Sequence, residues 1–159
     1  MKLKFQIIVL LFFMLLMVTL SSCDQNRFFE QNVEVEQERW AYNDAKTISV
    51  DVKDTVSTYD FYLNIRNTND YPYANLYLFI QTIFPDSLYA RDTIELQLAN
   101  HDGRWLGEGK GKYKYSHFIL RHAMHFNKLG LHEFKIAHGM RKDTLYGISD
   151  IGIRLEYCQ

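Results

Sequence analysis

Cys23 is the residue best placed to do chemistry. A cysteine thiolate is the strongest nucleophile among ordinary side chains. This one stands directly after Leu20-Ser21-Ser22, a large aliphatic residue followed by two small ones. Small residues let an extended segment enter a narrow protease site, so the order suits cleavage after Ser22 and modification of the Cys23 sulfur. The other candidates carry less. His117, His122, His125, His132 and His138 offer ring nitrogens, yet they form no i,i+4 pair and no His-Glu-x-x-His helix, so no metal is expected. Gly107-Glu108-Gly109-Lys110-Gly111 looks like a phosphate cradle, but Lys112-Tyr113-Lys114-Tyr115 follows. A cradle opens onto a helix, whereas this continuation alternates as a strand does, so a bulged loop is the reading. There is no Gly-x-Ser-x-Gly elbow, and nothing marks Asp143 and Asp150 above any other carboxylate pair. No catalytic residue and no cofactor are expected, and the protein is not read as an enzyme.

What precedes Cys23 explains its setting. Lys2 and Lys4 lead into an apolar run from Phe5 to Val18. As a helix that run would rise about 21 Å, short of the roughly 30 Å hydrocarbon core, so it reads as an export signal in preference to a membrane span. Leu20-Ser21-Ser22-Cys23 resembles the bacterial lipobox, in which the cysteine sulfur receives a diacylglycerol and the peptidase then cuts before it. Two or three acyl chains anchor a protein stably where one would be marginal. Cys158, one residue from the end, then has no partner cysteine in its own chain. It either pairs between chains or is a buried bystander thiol, and the second reading is preferred.

The elements that follow are strands. Ile48, Val50 and Val52 alternate with polar residues, as do Tyr59, Phe61, Leu63 and Ile65. The same period recurs at Ile94, Leu96 and Leu98, at His132, Phe134 and Ile136, and at Ile151, Ile153, Leu155 and Tyr157. Each such stretch buries one face and wets the other. From Ala74 to Phe84 apolar residues fall on both faces, which predicts a strand covered on both sides. Asn67–Asp70, Pro85–Ser87 and Asn100–Gly103 are turn-formers, and Gly130 suits a bend at positive φ. Only Tyr115–Lys128 invites a helix, through the loose spacing of His117, Leu120 and Met124.

The pattern predicts an all-β chain: a two-sheet β-sandwich, Ig-like or jelly-roll-like, of about eight strands. Residues 1–22 are the expected lipoprotein signal peptide, 23–39 the lipidated start and tether with a possible strand at Asn32–Glu36, and 40–159 the sandwich domain. Eighteen Lys and Arg against nineteen Asp and Glu give a formal charge of −1. That balance lacks the basic footprint of a nucleic-acid binder. Tyr71 and Tyr73 before the apolar strand, with Trp105, Tyr113 and Tyr115 around the glycines, are candidate partner contacts or, equally, caps on the core. On a cell surface the same rings could stack on sugars, so a glycan-binding module is the alternative.

Several segments together resemble the gliding motility lipoprotein GldH family of the Bacteroidetes. They are Leu20–Cys23, Trp40, Tyr71-Pro72-Tyr73-Ala74-Asn75-Leu76, Asp92-Thr93, Asp102–Gly109, Phe126 with Gly130, and Met140-Arg141 through Leu145–Gly152. The resemblance implies a membrane-anchored, non-enzymatic accessory of the cell envelope that supports gliding motility and the associated type IX secretion machinery. It implies partners among the envelope proteins, and membrane lipid held through acylated Cys23. The outer membrane is the expected location, with the facing side left open. Palmitate labelling of the full-length protein should vanish in Cys23→Ala; a variant that still takes up label refutes acylation at this sulfur.

Overall fold

The computed structural model describes residues 26–158, together with position 6. The rest of the expected signal peptide, Ser22 included, and Cys23 lie outside the described residues. Ten strands follow in chain order: β1 (Arg27–Glu34), β2 (Arg39–Ala41), β3 (Lys46–Val52), β4 (Tyr59–Thr68), β5 (Asn75–Ile83), β6 (Tyr89–Gln97), β7 (Tyr113–Met124), β8 (Gly130–His138), β9 (Thr144–Tyr146) and β10 (Ile148–Tyr157). A single 3₁₀ turn, Glu36–Glu38, separates β1 from β2.

The pairing is nested. β1 pairs with β10, β2 with β9, β3 with β8, β4 with β7, and β5 with β6, all antiparallel. The chain is therefore one long hairpin whose halves run side by side, folded over on itself. Two further pairings, β10 with β4 and β8 with β5, close the folded ribbon into sheets. One sheet has the order β1-β10-β4-β7, the other β3-β8-β5-β6, and β2 with β9 forms a short separate ribbon. Of the Ig-like and jelly-roll-like expectations, this connectivity is the jelly roll.

The core lies between the sheets and is built from the alternating positions. Ile48, Val50, Val52, Leu63, Ile65, Leu76, Leu78, Ile136, Ile151, Ile153 and Leu155 are at most 2% exposed. Each such side chain contributes about 1.5–3 kcal/mol relative to an exposed one. The bend before β8 forms as expected, with Gly130 at φ 109°. β1 and β3 approach one another on one flank. On the opposite flank the edges β6 and β7 leave a cleft between the sheets.

Three expectations need correction. The strand expected at Asn32–Glu36 starts earlier and ends at Glu34: residues 27–31, read as tether, belong to an edge strand in register with β10 from Arg27↔Glu156 to Glu34↔Asp150. The helix invited by Tyr115–Lys128 is absent: β7 runs through Met124, with Ser116, Phe118 and Leu120 turned inward. A bulge near its end, with Ala123 at φ 47°, spoils the alternation there, and the Asp60 carboxylate accepts the Ala123 N–H at 2.9 Å. β5 is covered on one side only, since Tyr77 and Phe79 are 38% and 45% exposed on its outer face.

Leu63 sits at the centre of β4 with no exposed surface. Leu63→Ala should lower the free energy of unfolding by about 2–5 kcal/mol, read as a reduced urea midpoint at unchanged slope.

Candidate functional site

The loops divide between two ends of the sandwich. Segments 35–45, 69–74, 98–112 and 139–147 gather at the end distant from Arg27 and Tyr157. Here Tyr71, Tyr73 and Trp105 come together. Tyr71 lies 5.7 Å from Tyr73 at 74° and 6.3 Å from Trp105 at 46°. Tyr71 is 4% exposed, its hydroxyl donates to the Asn75 carbonyl at 2.9 Å, and burial holds that hydroxyl protonated well above its ordinary range. Gly147, at φ 90°, makes the approach possible, because a Cβ there would lie 2.9 Å from the Tyr71 Cα. Tyr71 is thus a core cap and presents no face to a partner. Tyr73 and Trp105 are half-buried against the core. The steep ring angles give no flat platform of the kind a sugar would stack on.

Tyr113 and Tyr115 make a second group, on β7 at the same end. Both rings lie beside the Arg66 guanidinium, 4.2 Å and 5.0 Å from it. Arg66 also pairs with Asp150 at 3.1 Å. The Tyr113 hydroxyl donates to Glu38 at 2.9 Å, and Lys112 binds the same carboxylate. The Lys112 hydrogen bond, with help from Tyr113, outweighs desolvation and holds Glu38 below the ordinary carboxylate range. Tyr115 remains 45% exposed. The glycine loop ends in two hydrogen bonds of 2.8 Å between Glu108 and Tyr115, and β7 follows it in place of a helix.

A polar band that the sequence did not announce crosses the outer face of the first sheet. Register aligns Asn32, Gly152, Asn64 and His117 in one row over four strands. Asn64 donates to Asn32 at 3.1 Å and to Glu30 at 3.0 Å, and its carbonyl meets His117 Nδ1 at 2.8 Å. A Cβ on Gly152 would collide with the Asn32 side chain, and a hollow of ≈ 280 Å³ lies along the band between Asn64, Arg66, Tyr115, His117 and Asp150. Burial pushes Glu30 up, but Arg27, Arg154 and Asn64 together hold it below its usual range.

The cleft between β6 and β7 is larger, ≈ 650 Å³, and mostly apolar. Phe61, Ile80, Leu120 and Phe134 form its floor, and Arg121 and Asp92 face each other across its mouth at 3.8 Å. Among the described residues, no three of His, Cys, Asp and Glu are grouped to hold a metal ion. His132 is buried against Phe126 and Phe84, while His122 stands by Asp60. Cys158 is half-buried, and its thiol donates to Asp60.

The family model for the GldH lipoprotein matches residues 27–155, from the first strand into the last. The chain belongs to the GldH lipoprotein family. It is 32% identical over 151 residues to the "Gliding motility lipoprotein GldH homolog" of Christiangramia forsetii, covering 91% of this chain and 92% of that one. It is 31% identical over 146 residues to the "Gliding motility lipoprotein GldH" of Flavobacterium johnsoniae, covering 87% and 90% respectively. Among solved structures, the Tobacco streak virus coat protein dimer covers 82% of the chain at 10% identity and a TM-score of 0.30. That superposition is too loose to bear on fold or function.

The family segment includes one titratable group sealed into the far end. His138 is fully buried, with its ring edge-on to Trp40 at 5.6 Å, and burial lowers its pKa from 6.5. An unfolded chain therefore takes up this proton before the folded one does, and stability declines as pH drops below about 6.5. Urea midpoints should fall from pH 7 to pH 5, and His138→Phe should flatten that decline; an unchanged slope would refute the assignment.

Proposed function

We propose that the protein is a lipid-anchored envelope lipoprotein that serves the gliding machinery, and the type IX secretion associated with it, as a non-enzymatic accessory or assembly factor. Two relatives covering nearly the whole chain carry gliding-motility names, which supports the coarse reading. The observation that carries the finer one is the polarity of the domain. The chain enters the sandwich at Arg27, next to Glu156 and Tyr157, whereas the aromatic loops cluster at the opposite end. Acylation of Cys23 after cleavage behind Ser22 would hold the near end at a membrane, expected to be the outer membrane, and leave the far end free to meet envelope proteins.

Confinement to a membrane raises the effective concentration of such loops near their partners, so individually weak contacts suffice. The surface on offer differs from the five residues that the sequence suggested. Tyr71 is buried; Tyr115, half-buried Tyr73, Trp105 and Tyr113, and exposed Tyr42, Leu106 and Tyr146 are the accessible large apolar and aromatic side chains. Amphipathic rings with a buried base and a wet edge are the side chains that dominate protein contacts.

Affinity capture from native envelopes tests this reading. Tyr115→Ala combined with Leu106→Ala should cut co-purifying envelope proteins roughly tenfold or more while leaving the thermal midpoint near the parent value. Captured proteins should also change in a strain lacking type IX secretion. If a stably folded double variant retains its full set of partners, the distal loops are not the contact surface.

A further inference from the structure

The nested pairing gathers three hairpin loops at the end where the chain enters. β3 ends at Val52 and β4 starts at Tyr59, β5 ends at Ile83 and β6 starts at Tyr89, and β7 ends at Met124 with β8 starting at Gly130. Segments 53–58, 84–88 and 125–129 therefore share the end of the sandwich at which β1 begins and β10 finishes. Contacts tie them into one surface. The Tyr157 N–H donates to the Asn26 carbonyl at 2.8 Å and the Cys158 N–H to that of Thr58 at 2.9 Å. Tyr59 meets Phe126 at 5.7 Å, and Lys128 pairs with Asp86.

The tips of these loops are apolar. Val56 is 88% exposed, Leu88 62% and Leu129 60%. A single exposed aliphatic residue is ordinary. Among the described residues, however, the large aliphatic side chains more than half exposed are Val56, Leu88, Leu106, Leu129 and Leu131, and all but Leu106 lie at this end. Two loops use the same device to display them. In Asp54-Thr55-Val56 and Asp86-Ser87-Leu88 the aspartate accepts the N–H two residues on, at 2.7 Å and 3.4 Å. The carboxylate is turned onto the backbone and the aliphatic side chain is left outward. Lys53 and Lys128 balance Asp54 and Asp86 across the three loops, so the surface is close to neutral.

We infer that these three loops dip into the bilayer interface and seat the sandwich end-on upon it. The inference rests on Cys23 being the lipid-bearing residue. Two residues, Asp24 and Gln25, separate Cys23 from Asn26, so three steps along the chain give a reach of at most about 11 Å. The polar interface on each side of a bilayer is roughly 5–8 Å deep. An anchor in the lipid therefore brings the end of the sandwich to the interface, where Val56, Leu88 and Leu129 are exposed aliphatic side chains. Tyr89 and Tyr157, 60% and 43% exposed, are amphipathic rings of the kind that settle at headgroup level. The partner this surface fits is a lipid surface, met by apolar contact instead of by net charge.

The test uses the full-length acylated protein in vesicles of phosphatidylethanolamine and phosphatidylglycerol. In a Cys158→Ser background, a nitroxide is attached at Val56→Cys, Leu88→Cys or Leu129→Cys, or at Arg104→Cys in the distant 98–112 loop. Collisions with a water-soluble relaxant should fall several-fold at the first three sites relative to Arg104→Cys, and collisions with oxygen should rise. Labels at all three loops as wet as the one at 104, on protein that floats with the vesicles, would overturn loop insertion and leave the anchor standing. Protein that fails to float would overturn the anchor and this inference with it.

Discussion

The ladder between the first strand and the last is the constraint on which everything else depends. β1 and β10 are more than a hundred residues apart, and their antiparallel register runs from Arg27↔Glu156 to Glu34↔Asp150. Once that outermost pair is set, each inner pair must follow in order, down to β5 with β6. The apolar faces of both sheets then meet without any further choice. The entropy of closing so long a loop is recovered only when the whole ribbon has folded over, as is general for folds dominated by distant contacts.

The same constraint gives the domain two unlike ends. Chain entry, chain exit and the tight loops share one end; the longer segments, with their aromatic residues, share the other. At the far end the side chains hold one another: Tyr71 leans on Gly147, Arg66 lies between Tyr113 and Asp150, and Glu38 collects Lys112 and Tyr113. Such mutual support makes the loops a rigid surface even though they are loops, and a rigid surface loses less entropy on meeting a partner.

Much of this architecture is legible in the residue pattern alone, and the parts that are not have physical causes. β3, β4, β8 and β10 show a period of two because one face of each is buried and the other wet. β7 is obscured because its register against β4 shifts twice between Tyr59 and Tyr62, so the alternation that runs from Tyr113 to Phe118 breaks before Met124. β1 is obscured because Phe28, Phe29 and Val33, its only apolar residues, pack on the core at uneven spacing across a register shift, in an edge strand that otherwise looks like a polar tether. The row through Asn32, Gly152, Asn64 and His117 is invisible in the sequence for another reason: it exists only once four distant strands are in register. Tyr71 and Tyr115 cannot be told apart by type; burial alone makes one a cap and the other a surface.

The open flank carries a last consequence. That flank presents the edges of β6 and β7, which pair with no further strand among the described residues. Bare edges are templates for strands of another molecule, and crowding in two dimensions would favour such annealing. β6 displays Arg91, Asp92 and Glu95, and β7 displays Arg121 and His122 beside its bulge. Opposed charges and a kinked rim make these borders poor templates for a strand of another molecule.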